Sequence, residues 1–173
     1  MNLSRVRLNC ERRSGELIDE AYGLPRGGTV VAALSTNNDI QLVTFFLDGE
    51  EYGVDLMRVR EITGMTDITR TANSPPYMKG VINLRGTIVP IVSLRQRLGM
   101  PDPDGRADSC IAIADIGGEL TGFIIDEISD VVRVKRSDLQ PAPDATGQPW
   151  IEGIFFRGGN RNMVVLLNLE NFC

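Results

Sequence analysis

The chain offers few of the residue types on which enzymes rely. Among its 173 residues there is no histidine, which excludes His-dependent triads, zincin-type metal sites and any phosphohistidine relay carried by the chain itself. Three cysteines, Cys10, Cys110 and Cys173, lie far apart without C-x-x-C spacing, so neither a zinc ribbon nor a redox pair is expected. Carboxylates are the next candidates. Asp48, Glu50, Glu51 and Asp55 gather around one turn, and their chemistry would suit acid–base work in a hydrolase or transferase barrel. A solvated hairpin tip accounts for them more simply. Asp126, Glu127 and Asp130 lack EF-type spacing and a glycine pivot, so a hard-metal site is not expected. Arg26-Gly27-Gly28-Thr29 and Arg157-Gly158-Gly159-Asn160 lack the lysine and hydroxyl residue of a phosphate loop. No catalytic residue, cofactor or metal is assigned.

What remains is an acid and an arginine that each occur twice. Arg85 stands beside Gly86 between two Val- and Ile-rich runs, Gly80–Leu84 and Thr87–Leu94. That is hairpin grammar, but turn chemistry asks only for the glycine. Glu61 closes the segment Val59-Arg60-Glu61-Ile62. Both residues have counterparts further on, Arg157 for Arg85 and Asp130 for Glu61. An acid and an arginine at matched positions are expected to form an ion pair across each of two similar units. Two unconnected surface charges would contribute well under about 1 kcal/mol.

The elements that must position these residues follow from the same repeat. Gly49 falls on Gly118, Gly53 on Gly122, Val59 on Ile128, Glu61 on Asp130 and Ile62 on Val131, all at an offset of 69 residues. Gly80-Val81 then matches Gly153-Ile154, Arg85-Gly86 matches Arg157-Gly158, and Val92-Ser93-Leu94 matches Leu167-Asn168-Leu169. The drift in offset is what a longer second turn requires. This ordered series implies an internal duplication. The two units cover about 40–98 and 109–170, joined by the turn-rich Met100–Gly105. Each contains about five short strands. Asp48-Gly49 and Gly117-Gly118 mark hairpins, and a closed or nearly closed barrel is the natural way to remove edges. Two short helical turns are expected, over Ser74–Gly80 and Ser93–Gly99, each with a cap and a closing glycine. Residues 1–39 show no sustained period and read as a flexible extension.

Composition sets limits. Hydrophobic content of 42% and charged content of 24% are those of a soluble globular protein. The formal charge of -5 disfavours nucleic acid, including a single-strand-binding barrel, and aromatic residues are too few for a stacking platform. Arg133-Val134-Lys135-Arg136 is the densest basic spot and reads as an exposed strand face. No run is long enough to span a membrane, Val30–Leu34 is too short for a secretory signal, and Cys110 in its apolar run reads as a free core residue, as in a reducing cytoplasm.

The runs Phe46–Asp55 and Val59–Ile62, the string Tyr77–Val92, and Gly122–Asp126 through Val131 resemble the chemotaxis coupling protein (CheW) family, over about residues 40–170. Gly80-Val81-Ile82-Asn83-Leu84-Arg85-Gly86 with the downstream Ile88-Val89-Pro90 is the most diagnostic part. The resemblance implies a mainly β fold of two SH3-like five-stranded barrels with a hydrophobic groove between them. It implies a cytoplasmic, non-catalytic adaptor at receptor arrays on the inner face of the membrane, without membrane insertion. Its partners would be the regulatory domain of a chemotaxis histidine kinase and the cytoplasmic tip of methyl-accepting chemoreceptors. On that analogy Glu61 and Arg85 are the paired acid and arginine near the partner-facing surfaces. Val59, Gly80 and Gly86 match neighbouring interface positions, and Ile128 and Val131 fall where the second barrel lines the groove. Ser93 replaces the usual aspartate, and either residue caps a helix.

Overall fold

The Asp48-Gly49, Arg85-Gly86 and Gly117-Gly118 turns read from the sequence each close a hairpin, with glycine as the second turn residue. In the computed structural model, which describes residues 39–101, 109–142, 148–158 and 162–172, Asp48 and Gly49 have φ of 54° and 85°, and Gly117 and Gly118 have 62° and 94°. They join β1 (Asp39–Leu47) to β2 (Glu50–Asp55) and β6 (Cys110–Ile116) to β7 (Glu119–Ile125). Arg85 and Gly86, at 50° and 91°, join β4 (Met78–Leu84) to β5 (Thr87–Ser93). The remaining strands are β3 (Val59–Gly64), β8 (Glu127–Lys135), the short β9 (Gln140–Pro141), β10 (Ile151–Arg157) and β11 (Asn162–Leu167). Among the described residues helix is confined to the four-residue α1 (Leu94–Arg97) and to 3-10 turns over Leu56–Arg58, Arg136–Asp138 and Leu169–Phe172.

The sheets do not follow the two halves of the chain. One has the order β8-β1-β2-β11-β10-β9 and the other β3-β6-β7-β5-β4. The β1–β2 hairpin from the first half lies between β8 and β11 of the second. The β6–β7 hairpin from the second half lies between β3 and β5 of the first. The exchange is reciprocal in detail. β1 meets β8 antiparallel as β6 meets β3, and β2 meets β11 in parallel as β7 meets β5. The mainly β fold and the twofold repeat therefore stand, while the pairing interleaves units 40–98 and 109–170.

Three apolar clusters follow from this layout. Ile82, Val89, Ile91, Ile111 and Ile113 fill the first barrel, which contains β3–β7. Leu42, Val134, Phe155, Val164 and Leu166 fill the second. A larger cluster, running from Val43 and Phe45 through Val59, Leu94 and Phe123 to Ile128 and Phe172, is shared between them. The exchanged hairpins supply both sides of it, which ties the barrels into one packed unit. Val134 is buried between exposed Arg133 and Lys135, so the basic run is the expected strand face.

Four expectations need correction or limits. Ser74–Gly80 is not helical. Pro75 and Pro76 push the residues before them out of the helical region, Met78 N–H donates to the Pro75 carbonyl at 2.9 Å in a single turn, and β4 begins there. Asp39 belongs to β1 rather than to an extension, and residues 1–38 lie outside the described residues, as do most of the Met100–Gly105 connection and Gly159-Asn160. Arg26-Gly27-Gly28-Thr29 also falls outside. Cys110 is buried, yet disulfide-bonded rather than free; three distant cysteines in a sequence carry no information on which approach in space. The Ser93 cap is as expected, accepting from the Gln96 N–H.

Candidate partner-binding surface

The Arg85 position is built by its turn. Asn83 Oδ1 accepts from the Gly86 N–H at 2.7 Å, which locks the turn and holds Arg85 at positive φ, an uncommon state for a residue with a Cβ. In the first barrel β3 and β4 are the two edge strands, with no ladder between them. Arg85 reaches across this seam, and its Nη2 donates to Glu61 Oε1 on β3 at 3.0 Å. The side chains are 77% and 31% exposed. The pair expected from the repeat therefore forms, and it forms in solvent.

The matched pair in the second barrel also forms, in another setting. Arg157 Nη2 donates to Asp130 Oδ2 on β8 at 2.5 Å, and its Nη1 donates to Glu51 Oε1 at 3.0 Å. Ser129 Oγ donates to the same Glu51 oxygen at 2.8 Å. Glu51 is nearly buried, and Arg157 is 33% exposed. Sequence reading placed Glu51 on a solvated tip. Its strand lies between β1 and β11, so Glu51 points into the second seam.

The other expected partner-binding residues divide by accessibility. Gly86 is open, with nothing within 4 Å of where a Cβ would stand. Gly80 is closed. It sits at a bulge in β4 with φ of 141°, and a Cβ there would overlap the Thr69 carbonyl. Thr69 and Val81 exchange two backbone hydrogen bonds of 2.9 Å at this point. Gly80 thus lets the loop before β4 cover that strand's free edge, and it ends no helix. Val59 and Ile128 are 4% and 3% exposed, deep in the shared apolar cluster, and Val131 packs against it. The structure brings Glu61, Arg85 and Gly86 together on the surface, whereas Val59, Ile128 and Val131 belong to or pack on the shared apolar cluster.

Sequence reading missed a second set of charges. Arg95 on α1 is 4% exposed. Its Nε donates to Asp126 Oδ1 at 2.8 Å, its Nη2 to Asp126 Oδ2, and its Nη1 to Asp48 Oδ1 at 3.1 Å and to the Pro101 carbonyl at 2.9 Å. The Asp126 hydrogen bond leads among the effects that hold this guanidinium's pKa above its ordinary value. Asp48 N–H in turn donates to Asp126 Oδ2 at 3.0 Å. The clamp fastens the tip of the exchanged β1–β2 hairpin to the opposite half. A helix of four residues shows no periodicity, so nothing in the sequence marked Arg95 as buried. The carboxylates of the first tip are likewise occupied. Asp55 Oδ1 accepts from Met57 N–H at 2.9 Å, and Tyr52 donates to Glu50 at 2.8 Å. Burial above all, and then Glu50, raises the Tyr52 pKa. Arg60 holds the Asp115 carboxyl below its usual range, the Gly118 N–H assisting. Among the described residues no group of three or more acidic or sulfur side chains is placed to hold a metal, and no helix is long and apolar enough to cross a membrane.

Comparison with known proteins agrees with this architecture. The family model of the CheW-like domain matches residues 41–173. A probable chemotaxis protein CheW of Rhizobium etli is 38% identical over 135 residues, covering 76% of this chain and 86% of that protein. The chemotaxis protein CheW of Klebsiella aerogenes is 32% identical, covering 75% and 79%. Among solved structures, the scaffolding protein TtCheW from Thermoanaerobacter tengcongensis superposes with a TM-score of 0.72 at 30% identity, covering 77% of this chain and 91% of that one. With the family model spanning most of the chain and relatives at this level of identity, the chain belongs to the CheW family of chemotaxis proteins.

Proposed function

We propose that the protein is a non-catalytic adaptor that couples transmembrane chemoreceptors to a chemotaxis histidine kinase by binding both at once. The observation that carries this reading is the exposed Arg85–Glu61 pair on a rigid turn. A guanidinium held at positive φ across a barrel seam adds little to folding, yet it offers a fixed fork to a partner. Glu61, Arg85 and Gly86 form the contact surface, while Gly80 seats the loop before β4 and Val59, Ile128 and Val131 contribute to the shared core. The kinase would contribute its regulatory domain and the receptors their cytoplasmic tips, at arrays on the inner face of the membrane.

The test is co-sedimentation with receptor cytoplasmic fragments and the kinase, with kinase activation as a second readout. Arg85→Glu should weaken assembly, and adding Glu61→Arg should partly restore it. Unchanged assembly and activation in Arg85→Glu would defeat the reading. An enzymatic alternative predicts turnover that Glu50→Gln or Glu51→Gln abolishes.

A further inference from the structure

Where the two barrels meet, the repeat brings four side chains together. Tyr77 and Trp150 precede β4 and β10, and Arg97 and Phe172 close α1 and the last 3-10 turn. Their backbones match: Ser93 N–H donates to the Tyr77 carbonyl at 2.7 Å and Asn168 N–H to the Trp150 carbonyl at 2.8 Å. The side chains do not match. Phe172 packs on Trp150 with ring centroids 5.9 Å apart, whereas the corresponding place beside Tyr77 holds Arg97. Its guanidinium carbon lies 4.7 Å from the Tyr77 ring centre and 5.7 Å from that of Trp150.

Two donors in this cluster are orphaned. Arg97 Nε and Trp150 Nε1 are buried without a hydrogen-bond partner, a state that is unfavourable for folding. Among the described residues Arg97 has no ion pair or hydrogen bond, in contrast with Arg95 two residues earlier. The side chain is half-buried, and its terminal nitrogens are not closed off from solvent as Nε is. The result is a guanidinium fixed by two aromatic faces, with its fork pointing outward and unused.

We propose that Tyr77, Arg97 and Trp150 form an anchor for a carboxylate side chain of a protein partner. One planar fork matches one carboxylate through two parallel hydrogen bonds, and rings on either side remove the entropy of placing it. A phosphate site would gather several cations or a nest of backbone N–H groups; this cluster has one cation. Arg, Trp and Tyr are the residues that dominate binding energy at protein interfaces. The anchor draws on all three.

The identity of the partner rests on the adaptor reading, so the experiment has two arms. Trp150 is the chain's one tryptophan, which makes its indole N–H a single resolved NMR signal. Titration with the α-amide of N-acetylglutamate, whose one carboxylate is that of the side chain, should shift that signal and the Arg97 Nε–H, and the α-amide of N-acetylglutamine should not. Arg97→Ala should abolish the indole shift. Equal shifts with both compounds, or a stronger response to inorganic phosphate, would overturn the anchor. In the second arm Arg97→Glu should reduce co-sedimentation with receptor fragments and kinase by about tenfold or more, with Arg97→Lys in between and all variants retaining wild-type amide dispersion. Wild-type assembly by a folded Arg97→Glu overturns docking of a partner carboxylate, whatever the small compounds do. Failure of the wild-type chain to assemble counts against the receptor–kinase reading, and the titration still decides the anchor.

Discussion

The two seams began as copies and have been put to different uses. In the first barrel one arginine meets one acid in solvent, over a turn that offers an open glycine. In the second, Arg157 bridges two acids, one of them nearly buried and also held by Ser129. The same pair of residue types is thus a presented charge in one copy and an internal rivet in the other. The difference comes from Glu51 on β2. The strand that stands in β2's place in the first barrel is β7, where the position matching Glu51 is Leu120. A duplicated fold can free one copy for recognition if the other keeps the two halves together.

Substitutions can break or sharpen this contrast. The largest effect should come from the glycines under the two free edges. Gly80→Ala is expected to cost about 3 kcal/mol or more, because both its φ and the Thr69 carbonyl forbid a Cβ. Gly153→Ala, where the Cβ would stand 2.8 Å from the Gln140 carbonyl without a positive φ, should cost less; urea denaturation compares them. Next is Arg157→Ala, which leaves the nearly buried Glu51 charge with the Ser129 hydroxyl and without its cation and should lose about 2–4 kcal/mol. A double-mutant cycle with Glu51→Gln should recover a coupling of about 1–3 kcal/mol. Arg85→Ala should change stability by less than about 1 kcal/mol while weakening assembly. If Arg85→Ala proved as destabilising as Arg157→Ala, the two seams would have the same role.

Smaller still are the pH effects. Tyr52, beside Glu51, has a folded-state pKa raised above its unfolded value. Its contribution is complete below about pH 10 and declines as pH rises beyond it. Tyr52→Phe should flatten that alkaline loss in thermal melts. Asp115 in the first barrel is shifted the other way, so its slight contribution is present above about pH 4 and fades in stronger acid. Asp115→Asn should remove only this.

Much of the design was legible where local chemistry decides the outcome. The Asp48-Gly49, Arg85-Gly86 and Gly117-Gly118 turns declare themselves, because a positive φ leaves few choices. The matched acid and arginine were visible because the repeat preserved their spacing. The interleaving of the sheets was not legible. A hairpin pairs internally in the same way whichever half receives it, and that choice is settled by apolar faces far apart in sequence. Glu51 was misread for the same reason, since its burial depends on β11, more than a hundred residues away. Ser74–Gly80 showed helix caps, but the prolines and the bulge at Gly80 prevailed. Arg97 gave no signal at all, for its setting exists only once Tyr77 and Trp150 meet.

The exchanged hairpins also set the timetable of synthesis. The first barrel lacks its two middle strands until Ile125 has left the ribosome, and the second is incomplete until Leu167 has followed. Contacts of such high sequence separation make folding slow, and they leave β3 unpaired and β5 paired with β4 alone in the meantime. Neither half of the gene should therefore yield a folded piece by itself, although the sequence reads as two complete units.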